Sequence, residues 1–343
     1  MGRKRGLKKR GRKRNDKVSI PKSKELRVMD LSAGIGGNFI ALDSLNIDYN
    51  IVAIAETDEY RLKVYNKLYG ETRNLGNLEN IEYRGMTRCD LLLYSINNYD
   101  IKYDIGKIDK YKKVISKRMP EYLILESTTS IKNKKEFENL VDFLSNLGYN
   151  NSIEVLNAKD FGLPHNMQKL YMVSLLKGNF EFPNKNKESY TIRNIFEDYV
   201  YDEEYIVGLP YRKLIKRTRN DSSSEYKIYG KIDYDSWLEN QKVVYSLDSI
   251  APAIFYSYSG KMQIKVYDDN LKIIRELIPI EYFRLMGFSD ELFLEIEEEL
   301  VSDTRLYKTA TEQPILPIMK KILQKIIEEK IEWRILSKKD LLH

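Results

Sequence analysis

The sequence predicts an α/β fold: a doubly wound, mostly parallel sheet of the Rossmann-like type, joined to a small irregular lobe. Three observations lead there. From Glu25 onward, short apolar runs alternate with helical stretches, the pattern of parallel strands joined by helical crossovers. A glycine-rich turn follows the first apolar run, at the strand end where such sheets bind ligands. From Gly178 to Asp269 the alternation stops and Tyr, Asn, Ser and Asp dominate.

In order, ELRVMDL reads as a strand, GGNFIALDSL as a helix and YNIVAIAE as a second strand. DEYRLKVYNKLYG is a helix, CDLLLYSI a strand and IDKYKKVISKRM a helix. EYLILES is a strand, KKEFENLVDFLSNLG a helix and KLYMVSLL another strand. Helical character returns with PIEYFRLMGF and PILPIMKKILQKIIEEKI. The expected organisation is a basic arm over 1–24, the sheet domain over 25–177 and an irregular lobe over 178–269. Helices returning to the sheet domain fill 270–332, and 333–343 form a tail. A chain of 343 residues suits one large domain with a smaller lobe.

Charge is unevenly spread. The chain has 57 Lys+Arg and 51 Asp+Glu, a net +6. Residues 1–17 hold ten cations and one anion, so they carry +9 and the rest of the chain sums to −3. Such a block cannot offset its backbone entropy by burial. It suits contact with nucleic-acid phosphate through Arg10, Arg12 and Arg14, and equally a solubilising or localising tail. No apolar run reaches membrane-span length, and the arm lacks the apolar stretch of a signal peptide. The expected location is therefore the cytoplasm, on the nucleoid, or a nucleus. Cys89 is the only cysteine, which excludes a disulfide framework and a cysteine zinc site. With only His165 and His343, a multi-histidine metal centre is also excluded.

The turn after the first strand contains Asp30, Ser32, Ala33, Gly34, Ile35, Gly36 and Gly37. Its glycines permit a tight turn and close approach of a ligand. Glu56 ends the second strand, where a carboxylate can accept from both hydroxyls of a ribose. Together they point to a nucleoside-containing cofactor; the alternative is a structural turn.

The segments DLSAGIGG, AETDEYRLKVYNKLYGE, LILEST, VLNAKDFGLPHNMQKLYMV, VVYSLDSIAPAI and RELIPIEYFRLMGFSD follow one another in a characteristic order. In that order the chain resembles the DNA cytosine-5 methyltransferase family over nearly its whole length after the arm. The resemblance implies S-adenosylmethionine at the glycine turn, with Glu56, Thr57 and Asn77 lining its site. It also implies double-stranded DNA as partner, a target-recognition lobe and a cytosine turned out of the duplex. Glu126 matches the family's base-contacting glutamate. Lys169 keeps a positive charge where an arginine reaches the base carbonyl. Carbon 5 of cytosine is a poor nucleophile, so in this family a cysteine thiolate first adds to carbon 6.

The chain departs from that pattern where the chemistry occurs. The family's nucleophile lies in a Pro-Cys-Gln turn after the strand CDLLLYSI, and the corresponding position falls near Asn98. No proline or cysteine stands there. Cys89 lies at the opposite end of the strand, about 25–30 Å away if extended. Ser32 and Thr57 replace aromatics expected against the adenine, and Asn77 replaces an aspartate. His165, Met167 and Lys169 replace the Gln, Arg and Arg of the arginine motif. Thr311-Glu312 stands in place of a Gly-Asn pair. Cofactor binding is therefore expected to be weakened.

Three readings follow. The first is a DNA-binding pseudoenzyme homologue that alone does not methylate cytosine carbon 5. The second is one subunit of a two-chain methyltransferase of a restriction-modification system, with the nucleophile on a second methyltransferase-like subunit. The third is a SAM-dependent amino-methyltransferase, since Ile96-Asn97-Asn98-Tyr99 loosely resembles an Asn-Pro-Pro-Tyr turn. Arg212, Lys213, Lys216, Arg217 and Arg219 form the lobe's most cationic run, suited to phosphates and guanine edges or to a solvated loop.

Overall fold

A computed structural model describes residues 25–81, 86–96, 105–186, 188–207, 213–216, 225–233, 242–254, 256–257, 260–261, 264–300 and 302–340. Its centre is a six-stranded sheet built from β1 (Leu26–Asp30), β2 (Tyr49–Ile54), β3 (Leu91–Ile96), β4 (Tyr122–Thr128), β5 (Asn150–Asn157) and β7 (Gln168–Leu175). The order is β2-β1-β3-β4-β7-β5. The first four strands are parallel, whereas β7 runs antiparallel to both β4 and β5. The chain leaves β1 on one side to form β2 and returns on the other to form β3. Their carboxyl ends diverge at that switch point, where a crevice opens.

Strand alternation sorts the core into two layers, because successive side chains point to opposite faces. Val28, Leu91, Leu93, Ile124, Tyr171 and Val173 face one layer with α1 (Gly37–Asp43) and α2 (Glu59–Tyr69). Met29, Leu92, Tyr94, Leu123, Leu125, Leu170 and Met172 face the other. There they meet Tyr111, Val114 and Ile115 of α3 (Ile105–Arg118), with Phe137, Leu140 and Leu144 of α4 (Lys135–Asn146). Burial on both faces explains why these strands read as nearly continuous apolar runs. The C-terminal helices α5 (Pro279–Leu285), α6 (Asp290–Glu297), α7 (Asp303–Glu312) and α8 (Leu316–Asp340) contribute to the first layer.

The lobe is more regular than its polar composition suggests. Lys213–Lys216 (β8), Ile228–Asp233 (β9), Val243–Ser246 (β10), Lys265–Asp268 (β14) and Ile273–Glu276 (β15) form a second sheet, ordered β15-β14-β10-β9-β8. Two short ladders complete the strands: β6 (His165–Asn166) with β11 (Ala251–Pro252), and β12 (Tyr256–Ser257) with β13 (Gly260–Lys261). Val207, Ile232, Val244 and Ile274 make a small separate core, beside Tyr229 and Tyr267 stacked at 3.9 Å. Here the expectation of an irregular lobe is corrected, because strand pairing supplies an order that the polar sequence does not advertise. The sheet also continues past Asp269, where the sequence places the lobe's end. The antiparallel β14–β15 pair closes through Lys272 at φ 59°, which carries the chain round into β15. Likewise α8 runs on through Asp340, past the tail boundary at 333.

Arg275 joins the two halves. It is fully buried, donates to Glu281 Oε1 (2.7 Å) and Oε2 (2.9 Å) on α5, and lies 4.0 Å from the Phe196 ring. Glu281 also accepts from the Glu197 and Ile278 amides, which complements its charge in the dry interior. Among the described residues, no helix is long and apolar enough to cross a membrane.

Candidate functional site

A cleft of about 250 Å³ opens at the carboxyl ends of β1, β2 and β3. Of the residues expected at a cofactor, Ser32, Ala33, Gly34, Glu56, Thr57 and Asn77 line it. Asp30 stands beneath the turn, fully buried, and organises it. It accepts from the Ser32 amide (2.9 Å) and from Asn38 Nδ2 (2.8 Å), while burial pushes its carboxyl up to about 6. Ser32 does what an aromatic could not: its hydroxyl accepts from the Ser95 amide (2.7 Å) and donates to Asp30 Oδ1 (3.3 Å). The β1 turn is thereby tied to β3.

Ile35, Gly36 and Gly37, also expected at the cofactor, do not line this cleft. Ile35 belongs to the apolar core. Gly36 has φ 92°, and a Cβ there would stand 2.4 Å from the Tyr69 ring. A Cβ on Gly37 would stand 2.7 Å from Gln313 and Pro314. These glycines let helices pack closely, a requirement separate from ligand approach.

Glu56 is held in one orientation. Its backbone pairs with the Asn74 side chain, and its Oε1 accepts from the Thr57 and Asp58 amides, both at 2.7 Å. Oε2 faces Arg61 at 3.8 Å. Asn77 Oδ1 accepts from the Glu79 amide (3.0 Å) and so caps the short turn Leu78–Asn80. The sequence reading missed several residues that enter the cleft from elsewhere, namely Asn38, Arg61, Ser95, Lys107 and Gln313. Glu312, noted there only as a departure, also lines it. Arg61 Nη2 pairs with Glu312 Oε2 at 2.5 Å, and burial pushes the Glu312 carboxyl up. No local pattern marks such a contact, since its partners lie at opposite ends of the sequence.

A second polar site adjoins the first. Glu126 near the end of β4 and Lys169 near the start of β7 are 3% and 7% exposed. The Lys169 ammonium donates to Glu126 Oε1 and, at 2.8 Å, to the backbone oxygen of Gln313. Glu126 Oε2 makes no hydrogen bond of good geometry among the described residues, although the buried Tyr171 hydroxyl, itself unpaired, lies close to this carboxylate. A buried carboxylate oxygen left this way is an acceptor poised for a polar ligand. The side chain of Gln313 lines the first cleft, so one residue borders both sites. His165 is fully buried, neither ring nitrogen has a hydrogen-bond partner among the described residues, and burial pushes its pKa down to about 3, leaving a neutral imidazole.

The position expected for a nucleophile, near Asn98, lies outside the described residues, as do Arg10, Arg12, Arg14, Arg212, Arg217 and Arg219. Lys213 and Lys216 bound β8, the edge strand of the lobe sheet. Cys89 precedes β3 and packs in the apolar layer with Tyr111 and Ile115. Burial, reinforced by Asp90, pushes its thiol up to about 12. At neutral pH it is a thiol, at the end of β3 away from the cleft, and suited to neither attack nor metal binding.

A family model described as C-5 cytosine-specific DNA methylase matches residues 26–96 and 108–328. The type II methyltransferase M2.ScrFI of Lactococcus lactis subsp. cremoris is 26% identical over 285 residues, covering 77% of this chain and 73% of its own length. M1.ScrFI of the same organism is 23% identical over 326 residues, covering 90% and 79%. Among solved structures, the S. pombe Dnmt2 methyltransferase has a TM-score of 0.68 at 19% identity, covering 90% of this chain and 99% of its own, a likeness of fold.

Proposed function

The chain belongs to the C-5 cytosine-specific DNA methylase family, and we propose that it is a DNA-binding member unable on its own to methylate carbon 5 of cytosine. S-adenosylmethionine is the cofactor of this family, and the residues present fit it. The cleft lies at the sheet's switch point, Gly34 lets the backbone turn at φ 56°, and Glu56 keeps Oε2 toward the cleft for ribose hydroxyls. When bound, the cofactor supplies an electrophilic methyl group. Its affinity is reduced by the exchange of aromatic walls for Ser32 and Thr57, because ring stacking on adenine contributes about 1 kcal/mol or more.

The single observation behind the proposed loss of chemistry is the cysteine inventory. The chain has one cysteine, and its thiol is buried and protonated at the far end of β3. What remains is a base pocket without its covalent arm. In it Glu126 and Lys169 hold a flipped cytosine by its ring nitrogen and carbonyl. The arm, through Arg10, Arg12 and Arg14, and the lobe, through Arg212, Lys213, Arg217 and Arg219, supply phosphate contacts.

Incubation with labelled S-adenosylmethionine and double-stranded DNA tests this. Expected are a shifted DNA band and no label in DNA. Label on cytosine carbon 5, identified by digestion and mass spectrometry, would sink the claim, and label on an exocyclic amine would replace it with amino-methylation. A second reading is one half of a two-chain enzyme of a restriction-modification system. It is supported by relatives in one organism bearing the paired names M1.ScrFI and M2.ScrFI. Methyl transfer that appears only on mixing with a second, cysteine-bearing subunit would favour it.

A further inference from the structure

Arg61 stands among three carboxylates at the ribose end of the cleft, and it is in close ion-pair contact with only one of them. Its Nη2 lies 2.5 Å from Glu312 Oε2, whereas Nη1 is 3.8 Å from Glu56 Oε2 and Nε is 3.9 Å from Asp58 Oδ2. The last two exceed hydrogen-bonding range. Glu56 Oε1 is already committed to the Thr57 and Asp58 amides, so Oε2 is the oxygen left for a ligand. A guanidinium moving about 1 Å toward Glu56 would form a charge-assisted bond and occupy that oxygen. What prevents the move is Glu312, at the end of α7 on the opposite wall. A second bridge holds those walls, since the Arg305 guanidinium of α7 stacks 3.5 Å from the Tyr60 ring of α2. Neutralising Glu312 therefore frees the guanidinium without opening the cleft.

We infer that Glu312 is a positioning residue for cofactor binding, holding Arg61 off Glu56 so that Glu56 Oε2 stays available to ribose hydroxyls; this rests on the cofactor reading above. The pair is a local competition for one cation. Its signature is asymmetric: loss of Glu312 harms binding, and loss of Arg61 does not.

The test uses the full chain, titration calorimetry with S-adenosylmethionine and S-adenosylhomocysteine, and crystals of the ligand-free Glu312→Gln variant. Glu312→Gln should weaken both ligands about tenfold, the effect of masking one charged acceptor. Arg61→Met should tighten them about twofold, and Arg61→Met with Glu312→Gln should return to the Arg61→Met value, a non-additivity expected of side chains in contact. In the crystals the guanidinium should lie about 2.8 Å from Glu56. A guanidinium that stays in place, or a double variant as weak as Glu312→Gln, overturns the inference. Arg61→Met weakening binding as much as Glu312→Gln also overturns it, because Arg61 would then grip the ligand itself. If the wild-type chain binds neither ligand while the guanidinium still moves, the cofactor reading fails and the placement of Arg61 by Glu312 stands.

Discussion

Lys169 and Glu126 lie in the dry interior as a bonded pair, so removing either charge alone leaves the other uncompensated. Lys169→Met should lower the unfolding free energy by about 3–5 kcal/mol, and adding Glu126→Gln should restore most of it. Urea unfolding of the three proteins checks this, and a single variant as stable as wild type would show the pair to be solvated. His165 and Asp30 make opposite contributions to acid stability. His165 has a folded pKa of about 3 against 6.5 when unfolded, so between those values the unfolded chain binds more protons and stability falls as pH drops. Asp30 has a folded value of about 6 against 3.8, so the folded chain binds more protons and stability rises as pH drops from 6 toward 3.8. The two slopes oppose each other between pH 6 and 4. His165→Gln should therefore gain on wild type by up to about 1.4 kcal/mol per pH unit as acid is added, and Asp30→Asn should lose on it. Unfolding curves at about pH 7, 5.5 and 4.5 check both, and differences that do not change with pH would show that neither group shifts on folding. At this scale the positions of Glu56, Glu126 and Lys169 were legible because each lies at or near a strand end, and the motif order fixes which strand. Arg61 was not, because its importance depends on a partner brought near only by the fold.

Elements of the main sheet were legible from periodicity, since both faces are buried and the runs are bounded by helices. The lobe was not. Its strands, four to six residues in β8, β9, β10, β14 and β15, are short, and the parallel β10–β14 pair joins strands that are not consecutive, which local composition does not record. Its attachment is nonetheless specific. Arg275→Met removes the cation that links β15 to α5 and leaves Glu281 buried, so it should cost about 3–5 kcal/mol. Calorimetry would register this as a lower melting temperature; an unchanged one would mean that the amides of Glu197 and Ile278 suffice for Glu281. The turn before α1 should be equally intolerant. Gly36→Ala meets both a left-handed φ and the Tyr69 ring, so it should lose at least about 2 kcal/mol, with Tyr69→Ala relieving only the steric part.

For the whole molecule, charge and fold are separable. The sheet domain and lobe are nearly neutral, and the excess positive charge is concentrated in residues 1–17. Deleting that segment should flatten the dependence of DNA affinity on salt, each lost phosphate contact removing about one unit from the log–log slope. A slope unchanged by the deletion would assign the phosphate contacts to the lobe. Within the body, Gln313 has a further consequence. Its carbonyl oxygen receives the Lys169 ammonium, while its side chain borders the other cleft and would touch a Cβ on Gly34 or Gly37. An occupant of the cleft that shifts this residue also moves the oxygen that receives the Lys169 ammonium. On the proposed reading linkage makes the influence mutual: whatever factor a nucleoside ligand imposes on the affinity for an everted base, the base must impose on the nucleoside.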